Sequence, residues 1–126
     1  MNYPFPVPNS IGYQNYVAYS KEYRADVHLN KSNAVTLGAF GERFRTYTWN
    51  NITISPNQIT NVNLYIPGEY PISGGYVELG PINTNFSPPL IRSNGTKDFS
   101  TWIISIQNNN TFPITMAFNY LTHIIT

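Results

Sequence analysis

Two histidines, six acidic residues and no cysteine limit the chemistry that this sequence could perform. His28 follows Asp26 by two residues, whereas His123 has no acidic residue or second histidine at metal-ligand spacing. Two ligands seldom form a metal site without a third. The missing cysteines exclude disulfides, thiolate metal sites and a cysteine nucleophile. We therefore interpret both histidines as surface residues and predict no bound metal.

Catalysis by paired carboxylates would need two acids at a defined separation. Glu69 and Glu78 lie in a proline- and glycine-rich region, and they are a pair that could meet in space or contact a ligand. The sequence contains neither a phosphate-cradling GxGxxG or GxxxxGK[ST] motif nor a GxSxG nucleophile elbow. We predict that the protein is not an enzyme and binds no cofactor.

Tyrosine is the most prominent side chain that could bind a partner, with ten copies in 126 residues. Tyr65, Tyr70 and Tyr76 surround the proline- and glycine-rich region between Pro67 and Pro89. Such rings could cover the ends of a core, pack in a protein interface or stack on sugar rings. All three interpretations remain open, and these three tyrosines are the candidate interface or glycan contacts.

The charge pattern argues against several classes of partner. Only 10% of the residues are charged and the net charge is +1, whereas an ordinary soluble domain has about 25% charged residues. The basic residues are scattered, so we expect no direct nucleic-acid binding. A nearly neutral, Asn- and Thr-rich surface favours packing against neighbours, although an ordinary soluble β-protein with a biased composition would look similar.

The N-terminal residues have an unusual proline spacing. Pro4, Pro6 and Pro8 alternate with Tyr3, Phe5 and Val7, and each proline favours extended backbone. We predict an extended arm over residues 1–12 that folds back on its own domain or reaches a neighbouring subunit. In the second case the three intervening apolar side chains, Tyr3, Phe5 and Val7, are its assembly contacts. The arm does not resemble a signal peptide, and no apolar run in the chain approaches the roughly 20 residues of a membrane-spanning helix.

Beyond the arm, the dominant period is two residues, which is typical of half-buried strands. The clearest strand runs from Phe112 to Ile124, and a second runs from Phe99 to Gln107, with a turn at residues 108–111. Further candidates are residues 13–19, 23–29, 34–40, 43–54 and 58–66, with short strands at 75–79 and 90–92.

Local signals mark a bulge and several loops. The apolar pattern changes phase near Asn50-Asn51, which predicts a β-bulge. Most of residues 67–89 is predicted to be loop, and Asn94-Gly95 is the strongest tight-turn signal. Five N-x-[ST] triplets occur, of which Asn94 and Asn109 fall in predicted turns and would be the favoured glycan acceptors. With no clear helical stripe, we predict one all-β domain over residues 13–126, an antiparallel β-sandwich of about eight strands.

In architecture the sequence resembles the single jelly-roll capsid proteins of viruses. The features that carry this resemblance are the proline-punctuated arm over residues 1–10, the strand series from Tyr13 onward, and the final pair Phe99–Gln107 and Phe112–Ile125. The resemblance implies a virion component, assembled in the host cytoplasm, that packs against copies of itself and other virion proteins. The arm departs from RNA-virus coat proteins because it has no Lys/Arg cluster, which favours a shell, decoration or spike role without genome contact.

Two functions follow as hypotheses. The first is a virion structural protein that acts by self-assembly. The alternative is a carbohydrate-binding β-sandwich, such as a lectin or receptor-binding tip.

Overall fold

The computed structural model describes residues 24–124. The predicted arm, with Tyr3, Phe5 and Val7, and the predicted strand at residues 13–19 lie outside the described residues. The described chain contains eight strands and one 3-10 turn, and it contains no α-helix. The strands are β1 (Arg24–Leu29), β2 (Thr36–Phe40), β3 (Phe44–Ile54), β4 (Ile59–Tyr65), β5 (Glu69–Gly80), β6 (Leu90–Asp98), β7 (Thr101–Gln107) and β8 (Ile114–Ile124); the 3-10 turn is Lys31–Asn33.

The strands form two four-stranded sheets that pack into a sandwich, as predicted. Sheet A has the order β1-β4-β7-β6, and sheet B has the order β2-β3-β8-β5. All pairs are antiparallel except β1 and β4, which run parallel with Val27 opposite Val62. The prediction of a wholly antiparallel sandwich is therefore wrong at this pair. Between β1 and β4 the chain crosses to sheet B for the β2–β3 hairpin, and β4 then starts from the same end as β1.

The core lies between the sheets and follows the two-residue alternation. In β8 the side chains of Ile114, Met116, Phe118 and Tyr120 are buried, and Ile104 of β7 faces them from sheet A among further buried apolar residues. Each fully buried apolar side chain of this size contributes about 1.5–3 kcal/mol. The alternation in residues 112–124 is therefore confirmed as the pattern of a core-facing strand.

The bulge predicted at Asn50-Asn51 is confirmed. The pairing of β3 with β8 shifts register between Trp49 and Ile52, and Asn51 has a φ of 58°. Asparagine tolerates this left-handed conformation better than most residues. The extra residue lets Trp49 and Ile52 both face the core.

Residues 67–89, predicted to be mostly loop around a short strand at 75–79, contain the longer strand β5, which corrects the extent of the loop. β5 has 12 residues and includes Pro71, and it lies at the edge of sheet B, where a proline costs no ladder hydrogen bond on the open side. Its Gly74 is held against sheet A, because a Cβ there would lie 2.5 Å from Cδ1 of Trp102. Close packing between the sheets, rather than a turn, thus accounts for this glycine.

Asn94-Gly95 is also not a turn, contrary to the prediction. The two residues lie inside β6, opposite Ile104 and Ile103 of β7. The side chain of Asn94 accepts a hydrogen bond from Nε1 of Trp102 at 2.7 Å. Pairing with β7 therefore outweighs the local turn propensity, and the prediction of Asn94 as a turn-borne glycan acceptor falls with it.

The predicted turn at residues 108–111 is confirmed, and its first residue is buried. Nδ2 of Asn108 donates to the carbonyl oxygens of Ile54 at 3.0 Å and Phe112 at 2.9 Å. Its Oδ1 accepts from the backbone and side-chain nitrogens of Asn110, both at 2.9 Å. Asn110 in turn bonds the backbone of Ser87, so the turn fixes the loop that precedes β6.

Within residues 24–124 there is no helix with the length and apolar character that a membrane crossing requires.

Candidate functional site

An open groove of about 540 Å³ lies where β5 and the turn between β6 and β7 meet. Its lining comprises Tyr70, Pro71, Thr96, Asp98 and Phe99. The rings of Tyr70 and Phe99 meet edge to face, with centroids 6.3 Å apart. Phe99 is 79% exposed and Tyr70 is 41% exposed, so the groove presents two aromatic rings to its surroundings.

The carboxylate of this groove is held by its own turn. Oδ1 of Asp98 accepts hydrogen bonds from the backbone nitrogen and the hydroxyl of Ser100, both at 2.9 Å. These bonds lower the pKa of Asp98 below its usual value, because they stabilise the ionised carboxylate. An aromatic surface beside a fixed acceptor suits a ligand with one apolar face and hydroxyl groups, such as a sugar ring.

A second, more polar groove of about 320 Å³ is lined by Lys31 and by residues of β2, β3 and β5, among them Leu37, Arg45, Tyr47 and Glu69. The hydroxyl of Tyr47 donates to Oε1 and Oε2 of Glu69, each at 2.8 Å. Oγ1 of Thr122 also donates to this carboxylate. The hydrogen bonds among Tyr47, Thr122 and Glu69 therefore connect the strands β3, β8 and β5.

Burial and the Glu69 carboxylate keep the nearby phenols protonated. Burial, the hydrogen bond to Glu69 and its negative charge raise the pKa of Tyr47 to about 12. Burial, together with the charges of Glu69 and Asp98, also raises the pKa of Tyr120. The Tyr120 hydroxyl is buried without a hydrogen-bond partner among the described residues. These phenols act as structural donors and packing groups, since neither ionises at physiological pH.

The outer surface of sheet B carries no charge along two complete rows of side chains. The pairing places Thr36, Thr48, Asn119 and Gly75 in one row, and Gly38, Thr46, Leu121 and Ser73 in the next. These residues alternate with buried ones such as Tyr47 and Phe118, so they face away from the core. We refer to these eight residues as the neutral face.

The structure separates the tyrosines that the sequence singled out. Tyr70 lies in the aromatic groove, whereas Tyr76 packs partly buried against the core. Tyr65 is exposed at the end of β4, in the other sheet from Tyr70. One of the three candidates therefore belongs to the groove.

The acids and histidines singled out from the sequence do not meet in a close carboxylate pair or in a metal site among residues 24–124. Glu69 and Glu78 are nine positions apart on β5, roughly 30 Å along an extended strand, whereas paired glycosidase carboxylates are within about 10 Å. Asp26 and His28 both lie on exposed positions of β1. In the described part of the chain, no group of three or more His, Cys, Asp or Glu side chains could hold a metal ion.

Sequence reasoning missed Phe99 and the role of Glu69. Phe99 was read as the first residue of a strand, but it lies in the turn before β7. The signal available was the Lys-Asp-Phe-Ser segment, in which Asp98 can bond the backbone two residues later as an Asx turn. No pattern in the sequence connects Glu69 with Tyr47 and Thr122, because they meet only across three strands.

Comparison with known proteins identifies a family. The model of the YjdH family matches residues 25–122, which include nearly all of the described sandwich. No curated protein and no solved structure matches the chain.

Proposed function

We propose that this chain, which belongs to the YjdH family, works by packing against copies of itself and against partner structural proteins. The proposal assigns it no catalytic step. The single observation that carries it is the neutral face of sheet B.

The neutral face suits packing between proteins for two physical reasons. Its side chains are short, and those of Thr46 and Asn119 fill the space beside Gly38 and Gly75, so the face has no large projections and a partner can approach the strands closely. No charge must be desolvated or neutralised when the surface is covered, and charged groups are depleted in interface cores for this reason.

Exposed apolar side chains add to this surface. In the described residues, eleven large hydrophobic side chains are exposed, among them Val77 and Leu79 of β5 and Ile82 in the loop that follows. Leu79 and Ile82 belong to one open groove of about 680 Å³. This groove, in which two exposed apolar side chains lie together, is where a partner's apolar side chains could pack.

The proposed setting is the virion that the sequence resemblance implies, with the domain as a shell, decoration or spike component assembled in the host cytoplasm. Eight described strands divided equally between two sheets support the finer proposal of a jelly roll.

A charge placed on the neutral face tests the packing proposal. Ser73→Lys adds a cation to the face, and Ser93→Lys is its matched control. Both serines are exposed, lie on edge strands and follow a register shift, but Ser93 belongs to sheet A. We expect Ser73→Lys to reduce the mass of the assemblies in light scattering and Ser93→Lys to leave it unchanged. Equal masses for both variants and the wild type would exclude the neutral face.

The predicted arm contributes a separate test of assembly. Removal of residues 1–10, with Tyr3, Phe5 and Val7, should impair assembly while the circular dichroism spectrum of the sandwich is kept. A truncated protein that assembles normally shows that the arm makes no intersubunit contact.

The aromatic groove favours the second candidate function, carbohydrate binding. Tyr70 and Phe99 offer apolar rings, and Asp98 and Thr96 offer polar groups beside them. Binding on a glycan array that is lost in Tyr70→Ala and Phe99→Ala, but kept in Tyr65→Ala, would support this function. Binding to no glycan, or equal binding by all three variants, counts against it.

A further inference from the structure

We infer that β2 is a self-pairing edge, at which two copies of this chain join their B sheets into one continuous eight-stranded sheet. The inference rests on the proposed packing function and identifies the β2 edge as the contact through which two copies first associate. It follows from a comparison of the four strands that end the two sheets.

Three of the four sheet edges carry features that prevent pairing with another strand. β5 contains Pro71 and two register shifts, and it carries Glu69 and Glu78. β6 has two register shifts and the charged residues Arg92, Lys97 and Asp98. Natural proteins use prolines, bulges and charges of this kind to block edge-to-edge association.

The third protected edge is β1, which has a regular register but alternates Arg24, Asp26 and His28 along its six residues. A second copy of such a strand would bring ionisable groups into a new ladder. Each of these three edges is therefore protected by at least one device.

β2 has none of these protections. Its sequence, Thr-Leu-Gly-Ala-Phe, contains no charge and no proline, and its pairing with β3 proceeds without a register shift. Among residues 24–124 it pairs with β3 alone. The backbone groups of alternate residues therefore point away from the sheet, and Val35 and Leu37 are more than half exposed beside them.

Charge selects a second copy as the occupant. In an antiparallel pair of identical strands related by a two-fold axis, the residue at the axis lies opposite itself and every other residue lies opposite one equally far beyond the axis. A charge near the axis would then lie close to the same charge of the other copy, which destabilises a cross-strand pair. From Ser32 to Gly41 the sequence has no charged residue, so β2 satisfies this condition over its whole length.

Such a pair also extends the neutral face. Thr36 and Gly38 end the two neutral rows at β2, so the rows of the second copy would continue them across the two-fold axis. The dimer would present one uninterrupted neutral surface twice as wide as that of a single chain.

Leu37→Lys tests the inference, with Leu90→Lys as the matched control. Leu37 is 56% exposed on β2, and Leu90 is 50% exposed on the protected edge β6. The Lys substitution places two cations close together across the proposed axis, so we expect the dimer dissociation constant to rise about tenfold or more. Leu90→Lys should leave it unchanged, and both masses are measured by sedimentation of the full chain.

The absence of native cysteines provides a second measurement that does not depend on the Lys variant folding. Leu37→Cys should be cross-linked between chains by a short bis-maleimide, whereas Leu90→Cys should not. Cross-linking at Leu37 together with dissociation by Leu37→Lys establishes the β2 interface.

The outcomes separate this inference from the proposed function. If the wild type forms oligomers that Leu37→Lys does not weaken and Leu37→Cys does not cross-link, the β2 interface is excluded while the packing function stands. If Ser73→Lys leaves assembly intact while Leu37→Lys abolishes it, β2 pairing stands without the neutral face. A wild type that is monomeric at every concentration overturns both.

Discussion

The hydroxyl of Tyr47 donates to both carboxylate oxygens of Glu69 at 2.8 Å, across the full width of the intervening strand β8. β3 and β5 do not pair with each other, so this contact and the bond from Thr122 tie three strands of sheet B together. Sheet B bears the neutral face and the β2 edge, and its rigidity is therefore a condition for both proposals.

Burial of Tyr47, together with its contact to Glu69, raises the pKa of the phenol and predicts a loss of stability at alkaline pH. The pKa of Tyr47 is raised from 10.0 to about 12 in the folded chain. Because the folded-state value is the higher one, the stabilisation is fully present below about pH 10 and is lost as the pH rises from about 10 towards 12. The loss is on the order of 2 kcal/mol in the free energy of unfolding, and urea titrations at a series of pH values measure it.

Tyr47→Phe is the control for this pH dependence. It should lower the free energy of unfolding by about 1–2 kcal/mol at neutral pH, since a hydrogen bond to a charged group is lost. The variant should also lose less unfolding free energy as the pH is raised above about 10. The loss that remains is the part due to Tyr120, whose pKa is likewise raised. A decline of equal size in the variant and the wild type would show that Tyr47 does not cause it.

Asn108→Ala should destabilise the fold by about 2–3 kcal/mol. The substitution leaves the buried carbonyl of Ile54 without its donor and releases the contacts to Phe112 and Asn110, and unpaired buried polar groups are costly. Asn109→Ala changes the exposed neighbour in the same turn and should alter stability by less than about 0.5 kcal/mol. Chemical denaturation measures the free energy of unfolding of both variants. Equal free energies for Asn108→Ala and Asn109→Ala would contradict the assigned role of Asn108.

Gly74→Ala should destabilise the sandwich by about 1–3 kcal/mol, because the new methyl group would overlap Trp102. Gly95→Ala provides the comparison, since a Cβ at that position has no atom within 4 Å and the glycine also lies inside a strand. Thermal unfolding followed by tryptophan fluorescence reports both. A Gly74→Ala protein as stable as Gly95→Ala would refute the close packing of β5 on sheet A.

The parts of the fold that the sequence predicts correctly are those that bury one side of a strand. Phe112–Ile124 could be read because its apolar residues recur every two positions, and the phase change at Asn50-Asn51 revealed the bulge. Only residues 75–79 of β5 could be read as a strand, because Pro71 and Gly74 normally indicate loops, and their tolerance depends on the edge position and on Trp102. The prediction of a tight turn at Asn94-Gly95 was wrong for a similar reason, because the pairing of β6 with β7 overrides the local turn propensity.

The candidate site was predictable to a smaller extent. Tyr70 was identified as a contact residue because of its type and its surroundings in sequence. Phe99, its partner in the groove, lies in the turn between two strands of the other sheet, and a single sequence gives no distance between the two residues. The sequence indicated the neutral face only through its low overall charge. The two uncharged rows of side chains can be recognised only when the register of the four strands in sheet B is known.

The mass of the full chain in solution, measured by light scattering over a wide concentration range, tests the central claim most directly. The proposals predict a species of at least two chains, each of 14.3 kDa, that grows with concentration and shrinks when Ser73→Lys or Leu37→Lys is introduced. A constant mass of one chain at every concentration would contradict the account.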